Sequence, residues 1–129
     1  MITGAHVMLF SEDADADRIF LRDVLGFRSV DAGGGWLIFK LPPAEVAFHP
    51  AGGGDDVKNP EGAGILGASL YLMCDDLKAY VKILEGKNVS CTKVSTERWG
   101  IKTTIKLPSG GEIGLYQPKH KTALDLGTD

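Results

Sequence analysis

Short segments that alternate apolar and polar residues dominate the chain. Twice they give way to a longer segment whose apolar residues recur every three or four positions. The first, SEDADADRIFLRDVLG, sets Ile19, Phe20, Leu21 and Val24 toward one side, the periodicity of an amphipathic helix. Asp13 or Asp15 caps its start, where a carboxylate meets the positive helix end, and Gly26 stops it. The second, CDDLKAYVKILEGKNV, repeats the plan, with Asp75 or Asp76 as cap, Leu77, Tyr80, Val81 and Leu84 as the face, and Gly86 as the stop. The alternating segments read as strands. GAHVMLF (4–10) and GASLYLM (67–73) precede the helices. FRSVDA, GWLIFKL and AEVAFHP follow the first, and VSCTKVS, IKTTIKL and EIGLYQP follow the second. Gly33-Gly34-Gly35, Pro42-Pro43 and Pro108-Ser109-Gly110-Gly111 punctuate the hairpins.

The chain is therefore written twice. The strands that open the halves nearly match, with His6 replaced by Ser69, and the closing strands Glu45–His49 and Glu112–Tyr116 echo each other. This parsing predicts a βαβββ module over 1–52, a Gly-, Pro- and Asp-rich linker over 53–64, a second βαβββ module over 65–118 and a tail over 119–129. Val46 and Phe48 are expected in the core. Trp36, in GWLIF, is expected to pack there too.

With 129 residues the chain is long enough to bury about two thirds of its unfolded surface. Its net charge of −3, with Lys and Arg scattered, argues against nucleic acid or an anionic membrane as partner. No apolar run is long enough for a membrane span, and the first residues lack the pattern of a signal peptide. Cys74 and Cys91 are isolated thiols, neither a disulfide framework nor a zinc set. A cytoplasmic protein is expected.

The stretches DADADRIFLRDVLGF, LYLMCDDLKAYVKIL and WGIKTTIKLPSGGEIGLYQP, with the matched first strand, resemble the vicinal oxygen chelate superfamily of glyoxalases, bleomycin-resistance proteins and extradiol dioxygenases. The resemblance implies an α+β fold in which two tandem βαβββ modules form curved mixed sheets around a cup-shaped site, and modules packed across a homodimer. Strand alternation then assigns the cup lining. Met8 and Phe10 point inward with His6, and Tyr71 and Met73 with Ser69. Glu45, Ala47 and His49 do so from one closing strand, and Glu112, Gly114 and Tyr116 from the other.

In metal-using relatives the resemblance places ligands at the positions of His6, Ala47, Ser69 and Gly114. Of these only His6 is a good ligand. A shifted set of His6, His49 and Glu112 is the remaining route to a metal, since two histidines and a carboxylate suit non-haem iron. Glu112 and His49 are, however, displaced toward opposite ends of their strands. A cup without resident metal is thus expected. It would bind a small aromatic or cationic molecule through Met8, Phe10, His49, Tyr71, Met73, Tyr116 and the loop residues Arg98 and Trp99, where a guanidinium can grip a carboxylate or phosphate. The alternative is a divalent-metal dioxygenase, lyase or isomerase acting on vicinal oxygens. It would use iron, zinc, nickel or manganese, with His6 and Glu112 as ligands and Tyr71 or Tyr116 as acid or base; proton transfer by Glu112 or His6 without a cofactor is a third option. His120 is expected to be a solvated tail residue.

Overall fold

The computed structural model describes residues 1–49 and 67–127, and the linker expected over 53–64 lies outside them. It divides into two units: Met1–Lys40 with Lys106–Glu112, and Leu41–Ile105 with Ile113–Asp129. Elements run in the order α1 (Ala14–Asp23), β1 (Ser29–Asp31), β2 (Leu37–Phe39), β3 (Tyr71–Met73), α2 (Leu77–Gly86), β4 (Ser95–Glu97), β5 (Gly100–Lys106) and β6 (Glu112–Pro118). Among the described residues no helix is long and apolar enough to cross a membrane.

The second unit carries a βαβββ arrangement with strand order β3-β6-β5-β4. β3 runs parallel to β6, with Tyr71 opposite Gly114, Leu72 opposite Leu115 and Met73 opposite Tyr116. A parallel neighbour needs a crossover, and α2 supplies it. β4 and β5 form a hairpin around the two-residue turn Arg98-Trp99. Alternation sets the core face of β6. Ile113 and Leu115 are buried with Leu77, Val81 and Leu84 of α2 and with Val89 and Ile105, so these residues make the core. Burying each such side chain contributes about 1.5–3 kcal/mol.

The ends of α2 show why it stops where it does. Asp76 caps it by accepting from the Ala79 N–H, and Gln117 Oε1 on β6 takes the Leu77 N–H. Helix continues through Gly86, the expected stop. Asn88 takes the left-handed position instead, at φ 62, while Asn88 N–H and Val89 N–H return to the carbonyls of Glu85 and Leu84. Asparagine tolerates that conformation, and Val89 then packs back into the core.

In the first unit α1 begins at Asp13, whose side chain accepts from Ala16 N–H, and ends before Gly26. Its buried residues are Phe20 and, unexpectedly, Asp17, while Ile19 faces solvent. Asp17 explains itself: it accepts from Ser11 Oγ at 2.6 Å, Ser109 Oγ at 2.7 Å and Ser109 N–H at 3.0 Å, tying the helix to the 107–111 turn. A short hairpin pairs β1 with β2. The three glycines 33–35 all have positive φ, and the Asp31 carboxylate accepts from the N–H groups of Gly33 and Gly35.

Residues 4–10 and 44–49, expected as strands, lie outside any ladder, and Val46 and Phe48 are 84% and 81% exposed rather than core. Alternation records which residues suit a pleated surface, but a strand exists only where a neighbour accepts its hydrogen bonds. Trp36 is also exposed, with the Arg18 guanidinium 4.8 Å from its ring centroid.

Candidate functional site

The second unit's sheet presents a second face, opposite the one that α2 covers. Even-numbered β6 residues reach it, and so does Tyr71 from β3. Position 114 decides what the face looks like. A Cβ built at Gly114 would clash with the Tyr71 ring, so the missing side chain is what lets that ring lie over β6. Tyr71 thereby meets Tyr116, and the β4–β5 turn brings Trp99 to both.

The three rings are nearly perpendicular to one another. Centroids are 5.7 Å apart for Tyr71 and Tyr116, 6.3 Å for Tyr71 and Trp99, and 5.4 Å for Trp99 and Tyr116, at 86°, 90° and 73°. Edge-to-face pairs of this kind are worth about 0.5–1.5 kcal/mol each beyond burial. Tyr116 forms the floor at 8% exposure, whereas Tyr71 at 41% and Trp99 at 38% keep surface free. Lys102, on β5, places its ammonium 5.6 Å from the Trp99 ring centroid.

The tail completes the cluster. Lys119 N–H donates to the Trp99 carbonyl at 2.8 Å, and His120 stacks on Tyr116 at 5.9 Å and 24°. The Lys121 carbonyl lies 2.8 Å from His120 Nδ1 and can only accept, so Nδ1 carries the hydrogen. In the neutral ring Nε2 then accepts from the Tyr116 hydroxyl at 3.2 Å. Burial, and secondarily the Glu45 carboxylate, push the Tyr116 hydroxyl above the ordinary tyrosine value, so it keeps its proton. Glu45 itself accepts from the Ala123 N–H at 2.7 Å. His120 is exposed as expected, but it is engaged at both nitrogens. The only hint of this in sequence is its place four residues beyond Tyr116.

Other expected site residues are spread out. Met73 lies on β3, two residues from Tyr71, and is half-buried; Arg98 is exposed in the β4–β5 turn; His49 is exposed outside any strand or helix. His6, Met8, Phe10 and Glu112 belong to the first unit and are exposed there. Among the described residues no three of His, Cys, Asp and Glu converge to hold a metal ion. At the positions where the resemblance implies ligands, Ala47 and Gly114 carry no donor and the Tyr71 ring occupies the space above Gly114. These residues do not fit a divalent metal.

No family model and no curated protein sequence matches the chain. Solved structures do. TnmS3, an antibiotic binding protein from Streptomyces sp. CB03234, is 23% identical, with a TM-score of 0.60 over 92% of this chain and 100% of its own. A lactoylglutathione lyase from Agrobacterium tumefaciens is 18% identical, with a TM-score of 0.60 over 89% of this chain and 92% of its own. A member of the glyoxalase/bleomycin resistance protein/dioxygenase superfamily from Sphaerobacter thermophilus DSM 20745 is 23% identical, with a TM-score of 0.56 over 90% of this chain and 98% of its own. At these identities the likeness is one of fold. The chain has the α+β fold of the vicinal oxygen chelate, or glyoxalase/bleomycin resistance/dioxygenase, superfamily.

Proposed function

We propose that the protein binds a small aromatic molecule on the Tyr71–Trp99–Tyr116 face, without metal chelation. One observation carries this reading: an aromatic ring fills the space above Gly114, one of the positions where a metal-using relative would place a ligand. Rings at right angles, two of them partly exposed, offer a planar ligand both faces and edges to pack against. The likeness to an antibiotic binding protein supports small-molecule binding. The metal-dependent dioxygenase, lyase or isomerase finds no converging donor set to support it among the described residues.

The same reading places two βαβββ modules at 1–52 and 65–118 and pairs the chain with a second copy. Phe10, Val46 and Phe48 lie exposed in segments patterned as strands, and a homodimer would cover them. Analytical ultracentrifugation tests this: sedimentation as a monomer at micromolar concentration rules the homodimer out. Two free thiols and the absence of a basic stripe support a cytoplasmic protein that binds neither nucleic acid nor membrane.

Trp99 is its own reporter. Titrating planar aromatics into protein carrying Trp36→Phe should quench or shift the remaining tryptophan emission saturably, and Tyr71→Ala should weaken that response at least several-fold. A flat response across neutral, anionic and cationic polycyclic probes removes the binding reading.

A further inference from the structure

We infer that the ligand of this face is a planar aromatic anion, its ring packed on Trp99 and Tyr71 and its charge met by Lys102. The inference rests on the binding reading above and gives it a chemical class. Four cationic residues lie at the aromatic cluster or next to its members along the chain. Lys102 already holds its ammonium over the indole of Trp99. Arg98 precedes Trp99 in the β4–β5 turn and is exposed. Lys119, through its backbone N–H on the Trp99 carbonyl, and Lys121, through its carbonyl on His120, sit beside the same rings.

The carboxylates nearby are spoken for. Glu97 accepts from the Ser95 hydroxyl at 2.6 Å and Glu45 from the Ala123 N–H. Among the described residues the ion pairs are Arg18 with Asp15 and Arg22 with Asp23, so no carboxylate pairs with any of the four cations. Lys102 therefore brings to the rings a positive charge that no carboxylate among the described residues pairs with, in a chain whose net charge is −3. A cationic ligand would be repelled here, and an anionic one drawn in. The mechanism is local as well. A ring stacking on Trp99 takes the place of the ammonium above the indole, and the four-carbon lysine stem leaves that ammonium at the ligand's edge, where a carboxylate or phenolate can receive it.

The test uses three probes of one shape: 2-naphthoate, 2-naphthamide and 2-(aminomethyl)naphthalene, each titrated calorimetrically into the full chain. Naphthoate is expected to bind about 5- to 20-fold tighter than naphthamide, the range of a charge-assisted contact reduced by exposure. The cation should bind more weakly than either. Raising salt tenfold should weaken naphthoate and leave naphthamide unchanged. Lys102→Gln should bring the naphthoate-to-naphthamide ratio to within about 2-fold of one, and Arg98→Gln should lower it less. Equal binding of all three probes, abolished by Trp99→Ala, overturns the anion class while the aromatic site stands. Preference for the cation does the same. Binding of none of them removes both.

Discussion

Substituting Gly114 by alanine isolates the ring packing from everything else at the site. The backbone at 114 is ordinary strand, so a methyl group is not opposed by conformation. The atoms nearest to it all belong to the Tyr71 ring. That ring ends a side chain that is partly exposed and free to swing outward, so the strand should hold while the ring leaves. Lost with it are the perpendicular contacts of Tyr71 to Tyr116 and Trp99. At about 0.5–1.5 kcal/mol per pair the cost is about 1–3 kcal/mol of unfolding free energy, with exposure favouring the lower half. Urea unfolding reads the energy, and near-ultraviolet circular dichroism reads the coupling of the rings. The expected result is a reduced aromatic signal with far-ultraviolet signal intact. Gly86→Ala is the control, since its new methyl meets nothing within 4 Å, and it should stabilise by up to about 1 kcal/mol because it sits in the last turn of α2. An unchanged aromatic spectrum in Gly114→Ala refutes the packing argument, and so does complete unfolding.

Other perturbations follow from the same contacts. Asp17→Ala removes an acceptor of three hydrogen bonds from a buried position and should cost about 2–4 kcal/mol in urea unfolding, whereas Asp15→Ala, on the exposed side of α1, should cost under about 0.5 kcal/mol. Leu84→Ala empties a fully buried site between α2 and the sheet and should cost about 2–5 kcal/mol by the same measurement. Burial raises the hydroxyls of Tyr80 and Tyr116, so the folded state holds those protons more tightly than the unfolded chain. Stability from these groups is complete below the ordinary tyrosine value of about 10 and is lost as pH rises through the raised folded values. The urea midpoint should therefore fall above about pH 10, and less steeply in Tyr116→Phe. Cys74, raised mainly by burial, should react with a disulfide reagent more slowly than a free cysteine peptide at the same pH, and an equal rate would contradict its placement.

How much of this was legible in sequence depends on whether a residue's role is local or shared. The α2 face of Leu77, Val81 and Leu84, its Asp76 cap and the alternation of β6 follow from spacing within one segment. The structure places them as the pattern implies. Gly114 was visible as a position without a metal donor, but not as the seat of the Tyr71 ring, because register across β3 and β6 is not written in either strand. The burial of Asp17 has no sequence signal, since its partner Ser109 lies 92 residues away. The contact of His120 is hidden for a related reason: it lies beyond the end of β6 at Pro118, so strand alternation does not carry it to Tyr116. Segments 4–10 and 44–49 carry a strand pattern without the neighbour that makes a strand, so pattern alone overstated their order.

The account stands or falls on whether the Tyr71–Trp99–Tyr116 face takes the ligand. Amide and aromatic chemical shifts recorded while 2-naphthoate is added to isotope-labelled protein test that most directly. The account predicts saturable shifts gathered on Tyr71, Trp99, Lys102, Gly114, Tyr116 and His120. Shifts gathered instead around His6 and Glu112, or none at any probe concentration, would contradict it.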